Sequence, residues 1–432
     1  MGYLILLLII IVTYVIVLNR FSIRSIITNA FSLLILMLVF VHFVSPILVH
    51  YYNLDRRFPN LDFSDYNDSY IVLSYITVSF IFLALGYFCK STGVRKTTIL
   101  QEIYEFKDKY IFIMLWIYII GFGMFMYIFF PLFIANTAMF MANRINNFSG
   151  FGYLLMAIQL STPLFIILLY KYLYKKEAKY LLLLFFVAIS TIIISIMTGS
   201  RAVLFSIVLY FGLFKLLFEQ IKINSTLILK IGTVFVAIFA AVAILGNIRT
   251  NVVKEIDTHF EESTIELMLG EMTKSFSHTE LLFFLTTQNT NYQLGRTYTA
   301  AIALPIPRSL WINKPVGGGP VLTNIVAPGA YCLVNNEFNS SFTTGVFLEA
   351  YLNFGFFGAV IVPFLFGLFF ATLLRISNKK ISIYKRFAIW FLIVMMITGF
   401  TTGEFLGVFT RLFTLVFPFL FFDFLNKLRI KI

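Results

Sequence analysis

The chain has 432 residues, of which 60% are hydrophobic and only 12% charged, with a net charge of +13 and a mean hydropathy of +0.91. A soluble domain carries roughly a quarter charged residues, so this composition excludes a water-soluble globular protein. The basic residues sit in short clusters between apolar runs, which argues against a nucleic-acid-binding surface.

The apolar runs are continuous, not alternating, and about 20 residues long, which suits helices crossing a hydrocarbon core of about 30 Å. In chain order the expected spans are Gly2–Leu18, Ile26–Val49, Tyr70–Phe88, Tyr110–Ile134, Gly152–Tyr170, Tyr180–Met197, Ala202–Phe218, Thr226–Leu245, Phe354–Leu374, Phe387–Phe400 and Phe405–Phe424. The fold class is therefore all-α, a polytopic integral membrane protein of about 11 (11–13) helices. Gly2–Leu18 has no basic residue before it and no small-residue cleavage site after it, so it reads as a span and not as a cleaved signal.

With the N-terminus outside, 22 of the 33 Lys and Arg residues fall in the inner loops, and fourteen of the 20 acidic residues fall outside. This sets the C-terminus on the cytoplasmic side. Cys89 and Cys332 then lie on opposite faces and form no disulfide. No metal-ligand spacing or nucleotide motif is present, so neither a metal nor another cofactor is expected.

Three regions follow: spans one to eight over residues 1–246, a large outer loop over 247–341, and spans nine to eleven over 342–432. The 95-residue loop is too long for a connector. Ser263-x-x-Glu266 is a capping box that starts a helix reaching about Leu285, whose Leu281–Leu285 end can dip into the membrane interface. Beyond Pro305 the loop is rich in Pro and Gly. There is no internal repeat of the kind an inverted-repeat transporter shows.

Several residues have side chains suited to chemistry. Three prolines hold Leu304–Pro315 extended, aiming Arg308 and Lys314, while Trp311 can sit at the headgroup level or stack on a sugar. Arg201 lies at the outer turn Thr198-Gly199-Ser200-Arg201. Arg411 lies roughly 9 Å below the outer end of the last span at 1.5 Å per residue, with Glu404 seven residues earlier as a natural partner. Arg249 and Arg144 stand near outer helix ends. This gathering of cations on the face richer in acid suggests an anionic ligand at the outer membrane–water boundary. The candidates for a general base are His278, Glu337 and Glu349, each also readable as structural. His42 and His50 read as packing or interfacial residues. Gly317-Gly318-Gly319-Pro320 is not a phosphate-binding P-loop but has the makings of a backbone anion nest.

Four motifs together carry a resemblance. They are Thr198-Gly199-Ser200-Arg201, Gly295-Arg296-Thr297-Tyr298, Ile306-Pro307-Arg308-Ser309-Leu310-Trp311 with Lys314-Pro315, and Gly345…Glu349…Asn353-Phe354-Gly355…Gly358. With the overall plan of many spans and one dominant outer loop, the chain resembles the Wzy-type oligosaccharide repeat-unit polymerases of O-antigen and capsule synthesis. The resemblance implies glycosyl transfer at the outer face, from a chain held on undecaprenyl pyrophosphate to a repeat unit on a second lipid carrier. It implies that Arg201, Arg308 and Arg411 neutralise the leaving pyrophosphate. Arg249, Arg296, Tyr298, Trp311, Lys314 and Glu404 would bind substrate. Expected partners are the lipid-linked oligosaccharides, the bilayer, and a chain-length regulator and flippase of the same pathway. A ligase of related chemistry and a lipid-linked oligosaccharide flippase or other transporter are the competing readings.

Overall fold

A computed structural model describes residues 29–47, 69–90, 106–142, 150–198, 202–218, 278–288, 291–306, 310–331 and 341–430, together with Phe276, Asn147 and Phe148. The first and eighth expected spans lie outside the described residues, as do Arg201, Arg249, Arg308 and Glu337.

Every regular element among the described residues is helical. Eight helices among the described residues are long and apolar enough to cross a membrane. They are α1 (Ala30–Ile47), α2 (Ser69–Phe88), α3 (Asp108–Ala135), α4 (Gly152–Lys175), α5 (Ala178–Thr198), the combined run Gly345–Ser377, α12 (Ile383–Thr402) and the run Phe405–Leu428. A shorter apolar helix, α6, covers Ala202–Phe218. Between the spans lie α7 (His278–Thr287), α8 (Arg296–Ile302) and α9 (Gly318–Val326). The run from Gly345 divides into α10 (Gly345–Phe354) and α11 (Gly358–Ser377), and the last run into α13 (Phe405–Leu415) and α14 (Phe417–Ile430).

The chain forms two compact units. The first comprises residues 1–95, 263–379 and 392–410. In it α2 and α11 run together, and glycines set how close they come. A Cβ on Gly86 would strike the Phe364 carbonyl, and one on Gly367 would strike the Leu83 carbonyl. Lipid supplies no hydrophobic drive between helices, so such close backbone approach, with its dispersion contacts, is what holds spans together. Phe31 of α1 stacks on Tyr87 with ring centroids 3.6 Å apart. A π-helical turn, Phe40–Val44, aims His42 inward, where its Nδ1 lies 3.3 Å from Thr279 Oγ1 and its ring stacks on Phe347. His42 is thus a packing residue. The α7 leucines 281, 282 and 285 are fully buried. They pack against α2 and α10, which leave them an apolar seat inside the protein.

The second unit comprises residues 96–262, 380–391 and 411–432. Gly121 of α3 lets Ala157 of α4 approach, and Tyr118 Oη meets Ser190 Oγ of α5 at 2.6 Å. Around Phe106 cluster Tyr384, Phe387 and Phe419. Lys171 directly follows the expected span Gly152–Tyr170 and is buried within α4. Its Nζ lies 3.1 Å from Asp108 Oδ1 and donates to the Phe106 carbonyl at 2.6 Å, and Tyr180 donates its hydroxyl to Asp108 Oδ2 at 2.7 Å.

Candidate active site

The polar residues of the first unit converge on α10. The helix begins at Gly345, whose φ of +59° disfavours a side chain, and whose missing Cβ leaves room for the His278 ring. Glu349 stands one turn on, buried, and is held from three directions. Thr297 donates its hydroxyl to Oε1 at 2.8 Å, Thr344 donates to Oε2 at 2.9 Å, and the Phe405 N–H donates to Oε2 at 2.7 Å. A buried carboxylate is tolerated only when its lone pairs are satisfied in this way.

Asn353 lies four residues further, on the same helix face. Its Nδ2 donates to Thr297 Oγ1 at 2.7 Å and to the Glu349 carbonyl at 2.8 Å, and its Oδ1 accepts the Gly295 N–H at 3.0 Å. Gly295 has φ +85° and Leu294 φ +48°, so the chain reverses sharply here before α8. Tyr298 on α8 lies between the rings of Phe354 and Phe405, at 6.2 and 5.1 Å. Burial first, and the Glu349 carboxylate second, push its phenol well above the ordinary range. Arg296, two residues before it, is exposed.

Glu404 occupies the tight connection between α12 and α13. Its Oε2 accepts the Gly319 N–H at 2.8 Å, at the start of α9, where a helix leaves N–H groups unsatisfied and favours negative charge. The glycine run makes this possible. A Cβ at Gly317 would lie 2.8 Å from Glu404 Oε2, one at Gly318 2.9 Å from Glu349 Oε1, and one at Gly319 2.7 Å from Glu404 Oε2. The backbone thus wedges between two carboxylates. The anion held at this glycine-rich helix start is the protein's own. Among the described residues Oε1 of Glu404 accepts no hydrogen bond. Burial raises the Glu404 pKa, and the Gly319 N–H opposes that rise.

His278 is fully buried, with Nε2 3.2 Å from Thr343 Oγ1. Burial holds its pKa down to about 3. Lys314 donates to the carbonyls of Leu304 and Ile306, both at 3.0 Å. The indole of Trp311 is exposed. Arg411 belongs to the second unit. It is half-buried on α13, and its guanidinium makes no ion pair within that unit among the described residues. The structure therefore gathers His278, Tyr298, Glu349 and Glu404 around α10 and the start of α9. Thr297, Thr344 and Asn353 complete the arrangement with Gly319, and these three were not expected as functional. The spacing Glu349–Asn353, two polar residues on one face of an apolar helix, is the signal by which Asn353 could have been found.

A family model described as O-antigen polysaccharide polymerase Wzy matches residues 1–429. The chain belongs to that family. No curated protein and no solved structure matches the chain. As a member of the Wzy family it is a multi-pass membrane polymerase of O-antigen repeat units, a transferase of polysaccharide biosynthesis. Wzy membership also accounts for a lipid-linked substrate.

Proposed function

We propose that the polymerase moves a growing glycan from undecaprenyl pyrophosphate to a repeat unit on a second lipid carrier, with Glu404 as the general base. The hydroxyl oxygen of the acceptor's terminal sugar attacks the anomeric carbon of the donor. A C–O bond forms as the bond from that carbon to the pyrophosphate oxygen breaks, and the pyrophosphate leaves with the electron pair. The hydroxyl proton passes to Glu404. Arg201, Arg308 and Arg411 neutralise the charge growing on the leaving group. Reaction at the outer face, with the N-terminus outside, is part of the same reading.

The observation that carries it is the asymmetry of the two carboxylates. Glu349 has both oxygens occupied by donors, whereas Glu404 is anchored through one oxygen and leaves the other open. Burial moves Glu404 toward the working pH, which improves it as a base. His278, buried and held near 3, is a weak base and supports the start of α10 instead.

The test is reconstitution of the full chain in lipid with its undecaprenyl-linked repeat unit and no nucleotide sugar. A product ladder at repeat-unit spacing, lost in folded Arg308→Ala and in folded Glu404→Gln, supports the reading. No ladder from folded wild type on the right substrate overturns it. A ladder that survives Glu404→Gln but fails in Glu337→Gln moves the base to the outer loop.

A further inference from the structure

The residues on either side of α8 and before α9 carry an unusual apolar surface. Leu294 is 80% exposed, Ile302 78%, Leu310 79%, Trp311 41% and Ile312 82%. None belongs to a helix capable of spanning a membrane. Yet this region is tied to one that is. The Gln293 N–H donates to the Leu352 carbonyl at 3.0 Å, and the Leu294 N–H donates to the Asn353 carbonyl at 2.9 Å. These are the last residues of α10, just before Gly355 breaks the run and α11 begins. Phe356 and Phe357, in the short turn at that break, are themselves exposed. The apolar surface of the loop therefore continues that of a spanning segment at its end. The other face of α8, with Thr297, Ala300 and Ala301, is buried.

We infer that Leu294, Ile302 and the tip Leu310–Trp311–Ile312 are seated in the bilayer the chain spans, at the boundary between headgroups and acyl chains. Trp favours that depth, with an apolar ring and one N–H donor. Backbone groups entering a membrane must find partners within the protein. Here Lys314 meets that demand for three carbonyls, since its Nζ takes those of Leu304 and Ile306 and its own N–H donates to that of Trp311 at 3.1 Å. Its alkyl stem accompanies the apolar tip while its ammonium closes the loop.

The protein has three tryptophans, so Trp116→Phe with Trp390→Phe leaves Trp311 as sole reporter. In vesicles of phosphatidylglycerol and phosphatidylethanolamine, its emission is expected blue-shifted. A quencher attached high on the acyl chain should quench it at least twice as strongly as one near the methyl end. Red-shifted emission, quenched by aqueous iodide and unaffected by lipid quenchers, overturns the inference. Shielding from both also overturns it, in favour of a protein cover or a second copy. Trp390 is buried, and its replacement can impair folding. In that case a nitroxide on Ile312→Cys, with Cys89→Ser and Cys332→Ser, supplies the readout. Relaxation by oxygen exceeding that by a water-soluble nickel chelate supports the seat, and the reverse refutes it.

Discussion

Glu349 on α10 accepts the backbone N–H of Phe405, the first residue of α13, at 2.7 Å across 56 residues of sequence. One carboxylate thereby begins one helix while sitting inside another. The same oxygen takes Thr344, and its twin takes Thr297. Glu349→Ala would leave three buried donors without an acceptor, each costing about 1–3 kcal/mol. A fall in thermal midpoint well beyond that of Glu349→Gln, followed by intrinsic fluorescence in detergent, is the expected result. Equal midpoints for the two variants would show that the donors find other partners.

Gly318→Ala would place a methyl group against the Glu349 carboxylate. Both neighbours are held, so the strain cannot relax cheaply, and a loss of about 1–3 kcal/mol is expected. Gly407→Ala is the comparison, since its Cβ would sit 3.3 Å from a flexible Glu404 methylene. Thermal unfolding should separate the two, with Gly318→Ala the less stable.

The stability of the protein should fall in mild acid because of His278. Its folded pKa is depressed to about 3 from 6.5, so its contribution is full above 6.5 and is lost as pH falls toward 3. The unfolded chain gains a proton in that window that the folded chain refuses, at up to ~1.4 kcal/mol per pH unit. Between pH 6.5 and 4.5 the wild-type midpoint should drop more steeply than that of His278→Asn. Parallel curves would rule this out.

Activity should show the opposite limb of the Glu404 titration. The base must be ionised, and burial raises its pKa above the ordinary 4.5. Turnover is expected to rise with pH through a midpoint above 4.5, and Glu404→Gln should lower it by roughly 10²–10⁴-fold and abolish that limb. Initial rates of ladder formation across pH give the answer.

In the second unit, removing Asp108 strands the buried ammonium of Lys171. Asp108→Asn is expected to cost on the order of 3 kcal/mol, and Lys171→Met added to it should recover much of the loss. A double-mutant cycle on thermal midpoints measures the coupling.

The spans were readable because a run of about 20 apolar residues has only one solvent that suits it. The expected span Tyr70–Phe88 differs from α2, Ser69–Phe88, by one residue. Where the reading stopped short, charge was the reason. Lys171 stands just past the expected span Gly152–Tyr170, and nothing there shows its burial, because its partner Asp108 comes from 63 positions earlier, at the head of another helix. The candidate site was half legible. Glu349, Glu404, His278 and Tyr298 stand out as polar groups where apolar ones are expected. Their roles do not, because pairings such as Gly319 with Glu404, 85 residues apart, are set by packing. Lys314 reads as a substrate-binding residue by its proline-framed position, and its bonds to carbonyls ten and eight residues back are invisible in that spacing.

The strap formed by Gly295, Thr297, Asn353, Glu349 and Phe405 joins three stretches of chain through side chains that serve one another. An alanine scan across it will therefore read assembly and turnover as one signal. Loss of product at Asn353 or Thr297 is no evidence of contact with sugar. Only substitutions that leave the strap closed, such as Thr297→Ser, can separate the protein's carpentry from its catalysis.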